Sequence, residues 1–382
     1  MKEFFEKIKR LILLTRCIMT FILKGKARKL LYEPSSVIVV LTGKLGDIVC
    51  CTPVLRAIRK NLPNTRIIVA GTPNLIRPLL ADSGLVDDYI NLEKRGAIRR
   101  IKDYNANAAF IIGPSFTPAA LLYVSGIPLV VSPKVVGGFS PSETRPYKIL
   151  RYFIKTFSYR MGEYAPRERL RCLELIGIMS EDTKKHLSFS RQALEKINRF
   201  FMGNKIDIDK DFIVGISPSA GNKIKEWPEK RFAKIADYLI EKYEAKVVLI
   251  GGDNDAQKVQ NVINSSKNSI VILNTQGKFN IDELKAVISK FSLFISVDTG
   301  PIYIAEAFNV STIDITGPID EREQSPISDK NIVVVPRYRK RPELFVLNAR
   351  YYNASEALKQ TESITVEMVT DAINKLYQLI KK

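Results

Sequence analysis

Four glycine-punctuated segments of this chain carry side chains able to do chemistry. The first is Leu41-Thr-Gly-Lys-Leu-Gly-Asp47, which follows a β-branched apolar run and precedes a helical stretch reaching about Asn61. Gly43 and Gly46, with Lys44 between them, let the backbone turn tightly after a strand. Asp47 then stands at a strand-to-helix junction. Two readings are open: a helix cap accepting free N–H groups, or a carboxylate facing a cleft and able to take a proton. The spacing is not G-x-G-x-x-G, so no dinucleotide is implied.

The second segment, Ser217-Pro-Ser-Ala-Gly-Asn-Lys-Ile-Lys-Glu-Trp-Pro228, runs from another apolar strand into a helix. Small residues such as Ser219, free N–H groups and two lysines, Lys223 and Lys225, suit a phosphate. The segment lacks the GKS or GKT ending of a P-loop; a solvated basic loop anchored by Trp227 is the plainer reading. The third, Ser296 to Ala307, ends a strand at Asp298, turns at Thr299 and Gly300, and starts a helix at Pro301, a favoured place for proline. Its N–H groups and positive helix end could cradle a diphosphate. Alternatively Asp298 simply caps the helix. Both hold together only if a cation such as Lys225 offsets the carboxylate. A fourth loop, Gly251-Gly-Asp-Asn-Asp255, offers Asp255 to ribose hydroxyls or makes an ordinary turn.

The composition narrows the chemistry. One histidine, His186, argues against a zinc site or a histidine triad, so a general base is expected to be a carboxylate. The four cysteines lack metal-ligand spacing, and adjacent Cys50 and Cys51 are poor disulfide partners, which suits a reducing compartment. With 46% hydrophobic and 26% charged residues, the 382-residue chain is an ordinary globular protein of about two domains. Its net charge of +19 draws it to polyanions: nucleic acid, anionic lipid or a phosphorylated substrate.

Short apolar strands alternate with helices. Val37–Leu41, Arg66–Ala70, Asp88–Asn91, Ala109–Ile112 and Leu129–Val131 make one set, and the pattern restarts near Asp211 with Phe212–Ile216, Lys246–Ile250, Ile270–Leu273, Leu293–Ser296 and Thr312–Thr316. Such alternation predicts an α/β protein with two Rossmann-like halves, each a parallel, doubly wound sheet that binds ligands beyond the carboxyl ends of its strands. The expected domains are residues 32–195 and 196–363, one Rossmann-like half each. Residues 364–382 are expected to form a helix packing back toward the first domain.

Residues 1–31 form a further, basic segment. Phe4, Ile8, Leu11, Ile18 and Ile22 recur near helical spacing, with Phe5, Ile12, Met19 and Leu23 beside them. Lys9, Arg10, Arg16, Thr20 and Lys24 fall on the other side, blurred by Leu13, Leu14 and Phe21. The apolar run Leu11–Leu23 is too short to span a bilayer, and no cleavage site follows it. An amphipathic helix on an anionic membrane surface is expected; a helix packed on the protein is the alternative. No nucleic-acid-binding pattern accompanies the charge, so nucleic acid is not an expected partner.

Together the segments resemble the heptosyltransferases of bacterial lipopolysaccharide synthesis, glycosyltransferase family 9. Val37–Pro63 is similar to the family's strand, G-D turn and P-x-L-x-A-L/I-R helix. Ser217–Phe232 is similar to its K-x-W-P block, Val248–Asp255 to its G-G loop, and Asp298–Pro318 to its D-S/T-G-x-x-H-x-A-A…G-P block. Ile364-Thr-Val-Glu-Met-Val resembles its closing I-T-V-E-x-V, so the likeness runs from about residue 36 to 380.

The resemblance implies a GT-B fold with an interdomain cleft. It implies an inverting transfer, needing neither metal nor cofactor, from a nucleotide sugar such as ADP-heptose. The acceptor it implies is a lipid-A-linked core sugar at the cytoplasmic face of the bacterial inner membrane. Another nucleotide sugar, or binding without catalysis, are the alternatives. In that frame Asp47 matches the family's general base, beside an acceptor loop of Gly43, Lys44 and Gly46. Lys225 and the N–H groups at Thr299 and Gly300 would steady the departing diphosphate. Ser219, Lys223, Asp255, Asp298, Thr299, Gly300, Pro301 and Tyr303 would bind the donor. Tyr303 departs from the family's usual histidine, which leaves the donor's identity open.

Overall fold

The computed structural model describes residues 2–27 and 33–381. It divides into two compact units, Met1–Lys184 with Val346–Asn348, and Lys185–Phe345 with Ala349–Lys382. The division falls earlier than the expected 195/196 boundary. The reason is local: Lys185 pairs with Glu306 at 2.6 Å, the Phe189 ring meets Phe308, and Ser190 donates to Asp282 at 2.6 Å. These bonds claim residues 185–190 for the second unit.

The first unit is built on β1 (Ser36–Val40), β2 (Arg66–Ala70), β3 (Asp88–Ile90), β4 (Ala108–Ile111), β5 (Leu129–Val136) and β6 (Lys155–Arg160). All pairings are parallel, in the order β3-β2-β1-β4-β5-β6. Every residue of β1 is buried, as a strand covered on both faces must be. The order reverses between β1 and β4, and the Gly43–Asp47 loop leaves β1 at that switch point, where such sheets take their ligands.

The second unit repeats the plan with β7 (Ile213–Ser217), β8 (Lys246–Leu249), β9 (Leu273–Asn274), β10 (Leu293–Val297), β11 (Ser311–Ile315) and β12 (Asn331–Val334). Its order is β12-β11-β10-β7-β8-β9, again wholly parallel. The loops after β7 and β10 are the second and third segments, so they too flank a switch point. Trp227 is fully buried, its indole edge-on to Phe232 and its N–H donating to the Ile364 carbonyl at 2.9 Å. The closing helix, Val366–Ile380, packs on the Glu229–Tyr243 helix, β11 and β12. It sinks Val369, Ala372, Ile373 and Leu376 into this unit's own core, where a return toward the first domain had been expected.

The N-terminal helix spans Lys2–Lys24; residues 28–31 of the expected segment lie outside the described residues. The helix carries two apolar faces. Leu14 and Cys17 are buried in the first unit's core, and Phe21 stacks on Phe153 with ring centroids 4.8 Å apart. Tyr123 fixes the exit by donating to the Gly25 carbonyl at 2.7 Å. Leu14 and Phe21, with Leu13 packed beside them, are the residues that blurred the polar side of the sequence pattern. The predicted apolar stripe itself stays uncovered: Phe4, Leu11, Ile22 and Leu23 are 64% to 78% exposed. No helix among the described residues is long and apolar enough to cross a membrane.

Candidate active site

In the first unit Asp47 is the third residue of a short helix, Leu45–Val49. Its Oδ2 accepts the Lys44 N–H at 2.9 Å, closing the loop over its own start. Its Oδ1 lies 3.6 Å from an Arg169 guanidinium nitrogen, and the side chain keeps 30% of its surface open to solvent. One oxygen thus braces the helix start, and the other lies beside a buried cation. Gly43 makes this possible. Its φ of +108° suits glycine, and a Cβ there would fall 2.7 Å from the Cβ and Cγ of Asp47. Gly46 is buried within the helix, and Lys44 is exposed at its start.

Arg169 is buried and comes from the helix Ala165–Leu170, 122 residues from Asp47 in sequence. Burial opposes its charge, but nearby acidic groups, among them Cys51, Tyr159 and Asp47, outweigh that and raise its pKa, so it stays protonated. The neighbouring residue Glu168 is held by the Arg160 backbone N–H at 2.8 Å and by the Arg160 guanidinium, which fixes the helix that carries Arg169. All four cysteines are free and buried, and burial pushes the Cys51 thiol up to about 11, which makes it a poor nucleophile.

In the second unit a cavity of about 730 Å³ opens at the strand ends. Ser219, Lys223, Asp255, Thr299 and Pro301 line it, so five of the expected donor residues meet there. Asp255 uses Oδ2 to accept the Gly252 N–H at 2.7 Å, bracing the G-G loop. Thr299 is the cap position of the helix Gly300–Ala307, with extended backbone, and its side chain makes no capping hydrogen bond. That helix's amino end therefore meets the cavity with its dipole unspent.

Asp298 is not the cap. It is buried, and its carboxylate turns to Lys225, whose Nζ donates to Oδ2 at 2.5 Å and to the Asp298 carbonyl at 2.9 Å. The Tyr303 hydroxyl donates to the other oxygen. Two of the three ammonium donors of Lys225 are thereby used. Tyr303 occupies the place of the family histidine as a buried donor to Asp298, with the Lys185 ammonium 5.9 Å from its ring centroid. Behind this cluster lies Asp314, wholly buried, accepting from Ser325 at 2.8 Å. Burial, reinforced by the charge of Asp298, pushes its carboxyl well above the usual range.

Several residues of these sites carry no sequence signal. Arg169 sits among other arginines in Arg167-Glu-Arg-Leu-Arg171, and nothing local singles it out. Lys258 is another: 13% exposed, it reaches Glu226 at 3.1 Å and Glu229 at 3.5 Å across the cavity wall. Phe279 and Thr275 join the lining from the turn Thr275-Gln-Gly-Lys-Phe279, which carries no recognisable motif. Among the described residues no acidic, histidine and cysteine cluster is arranged to hold a metal.

Two parallel six-stranded sheets, each with its chemistry at the switch point, define the architecture of a GT-B glycosyltransferase. The chain belongs to glycosyltransferase family 9, the heptosyltransferase family, whose model matches residues 119–349. It is 24% identical to lipopolysaccharide heptosyltransferase 3 of Escherichia coli strain K12 over 338 residues, 84% of this chain and 96% of that protein. It is 29% identical to lipooligosaccharide heptosyltransferase 2 of Haemophilus influenzae over 126 residues, 32% of this chain and 36% of that protein. The fold matches a family 9 glycosyltransferase from Veillonella parvula with a TM-score of 0.72 at 20% identity, covering 90% of this chain and 97% of the other. It matches E. coli ADP-heptose lipopolysaccharide heptosyltransferase II with a TM-score of 0.71 at 17% identity, covering 91% of this chain and 100% of the other.

Proposed function

We propose that this glycosyltransferase moves a heptose from ADP-heptose to a lipid-linked lipopolysaccharide core sugar, with inversion and without a metal. The observation that carries the proposal is the helix start at Thr299 and Gly300, opening on the second unit's cavity beside Lys223. The nearby Asp298 charge is offset by Lys225. That combination accepts a diphosphate: N–H groups and the helix dipole supply fixed positive potential, and the Lys225 ammonium adds a mobile one.

In the reaction, Asp47 takes the proton of the acceptor hydroxyl as that oxygen attacks the anomeric carbon. The bond from that carbon to the diphosphate breaks, and the negative charge on the departing oxygen is received by Lys225 and the Thr299 and Gly300 amides. Arg169 holds the Asp47 carboxylate in place through the transfer. Ser219 and Asp255 hold the nucleoside end of the donor. The acceptor's lipid places the work at the inner face of the bacterial inner membrane, and the uncovered apolar stripe of the N-terminal helix, flanked by Lys9, Arg10 and Arg16, supports adsorption there.

A mass-spectrometric assay offering ADP-heptose, UDP-sugars and GDP-sugars with a lipid-A-core acceptor tests the reading. A product gaining one heptose only from the ADP donor is expected. Transfer from a uridine or guanosine donor instead would replace the ADP assignment.

A further inference from the structure

Beside the N-terminal helix the first unit holds a second concavity, an open basin of about 610 Å³. Arg16 from the N-terminal helix, Lys94 from the preceding loop, and Arg99 and Lys102 from the helix Ala97–Asp103 surround it, over a floor that includes Leu92 and Leu121. All four cations are exposed, and none is paired with a carboxylate among the described residues.

The basin's wall is braced rather than loose. Arg100 donates to the carbonyls of Asn91 at 3.0 Å, Lys94 at 3.0 Å and Arg95 at 2.9 Å, which ties down the loop carrying Lys94. Leu92 and Leu121 pack against the first unit's core, so the floor is fixed as well.

Four cations around one basin, two of them guanidinium forks and two ammonium groups, are matched to a phosphate. An apolar floor is not needed for a free anion, but it is for a glycerol backbone and the first carbons of an acyl chain. The basin also continues into an apolar surface. Ile12 and Met19, a helical turn to either side of Arg16, are 56% and 55% exposed.

We infer that this basin is a headgroup site for an anionic glycerophospholipid, its phosphate held by Arg16, Lys94, Arg99 and Lys102 and its acyl chains lying along the uncovered face of the N-terminal helix. The inference deepens the membrane reading given above and rests on it: a diffuse basic helix becomes one with a built binding site at its flank. Headgroup capture would fix which side of the first unit meets the bilayer.

The test uses the full chain and dihexanoyl phosphatidylglycerol below its micelle concentration, followed by calorimetry. Binding is expected, with a loss of tenfold or more in Arg99→Gln/Lys102→Gln, since each basic group contributes about fivefold at an anionic lipid surface. Lys60→Gln/Lys134→Gln, which removes equal charge from exposed positions of the first unit outside the basin, should bind within about twofold of wild type. Equal losses in both variants, equal binding of inorganic phosphate or of dihexanoyl phosphatidylcholine, or no binding would overturn the inference. Flotation with phosphatidylglycerol vesicles separates the two claims. Flotation without short-chain binding removes the headgroup site and leaves the membrane reading. Short-chain binding without flotation removes the membrane reading instead.

Discussion

The two sheets share a strand order and place their loops at the same switch point, yet they treat charge in opposite ways. In the first unit the carboxylate of Asp47 stays part-exposed, with one oxygen bound to its own loop and the other beside Arg169. In the second, Asp298 is buried and saturated, clamped by Lys225 and Tyr303, and the open feature is a helix start rather than a side chain. In the proposed reaction the first gives and takes a proton, and the second holds a charged group without reacting with it. The same fold therefore supplies either function, and which one appears depends on what the loop residues do with their hydrogen bonds.

The comparison can be broken most severely at the saturated site. Asp298→Ala would leave the Lys225 ammonium, only 19% exposed, without its carboxylate partner. A loss of about 3 kcal/mol or more is expected in urea unfolding, together with weakened nucleotide binding. A variant as stable as wild type would mean that the pair is not structural.

At the open site the fold should survive and the rate should not. Asp47→Asn keeps an oxygen for the Lys44 N–H, so unfolding should change little while kcat falls by about 100-fold or more. Initial rates at saturating donor and acceptor decide this; near-normal turnover would remove the base from the mechanism. Gly43→Ala sharpens the same point without touching a charged group. The new methyl must push Asp47 aside, and a drop of about tenfold in kcat with donor affinity unchanged is expected. A matching fall in donor affinity would show that the loop serves binding as well.

The smallest effect lies away from both sites. Asp237 accepts from Ser266 Oγ at 2.6 Å and from the N–H groups of Lys267 and Asn268. Burial pushes its pKa up, but these hydrogen bonds prevail and hold it below the usual carboxylate value. Its contribution is therefore fully present above about pH 4, the unfolded value, and is lost as the pH falls through the lowered native one. Asp237→Asn should cost about 1 kcal/mol near neutral pH, and the gap to wild type should close on acidification. A constant gap across the acid range would refute the titration account.

Much of this was legible in the sequence because parallel strands buried on both faces read as apolar runs. Val37–Leu41 and Phe212–Ile216 lie within one residue of β1 and β7, and the loops that follow them carry the two sites. The strands that escaped notice are the edges. β6, Lys-Thr-Phe-Ser-Tyr-Arg, alternates buried and exposed residues inside a basic, aromatic stretch, and β12 lies beside an Arg- and Lys-rich tail. β9 was displaced because Ile270, apolar in type, is 97% exposed while the pairing falls on Leu273 and Asn274. At the sites, Asp47 and the Thr299–Gly300 turn were visible through local spacing. Arg169 and Lys258 were not, because each reaches its place through tertiary packing across a long sequence gap.

The buried indole of Trp227 has an optical consequence. It is the chain's single tryptophan, sealed from water and tethered to Ile364 next to the loop that carries Lys225. Its fluorescence should be blue-shifted and should report on the second unit alone, including any tightening of that loop around a nucleotide. Melting of the first unit would pass unseen in that emission and would be recorded only by far-ultraviolet dichroism.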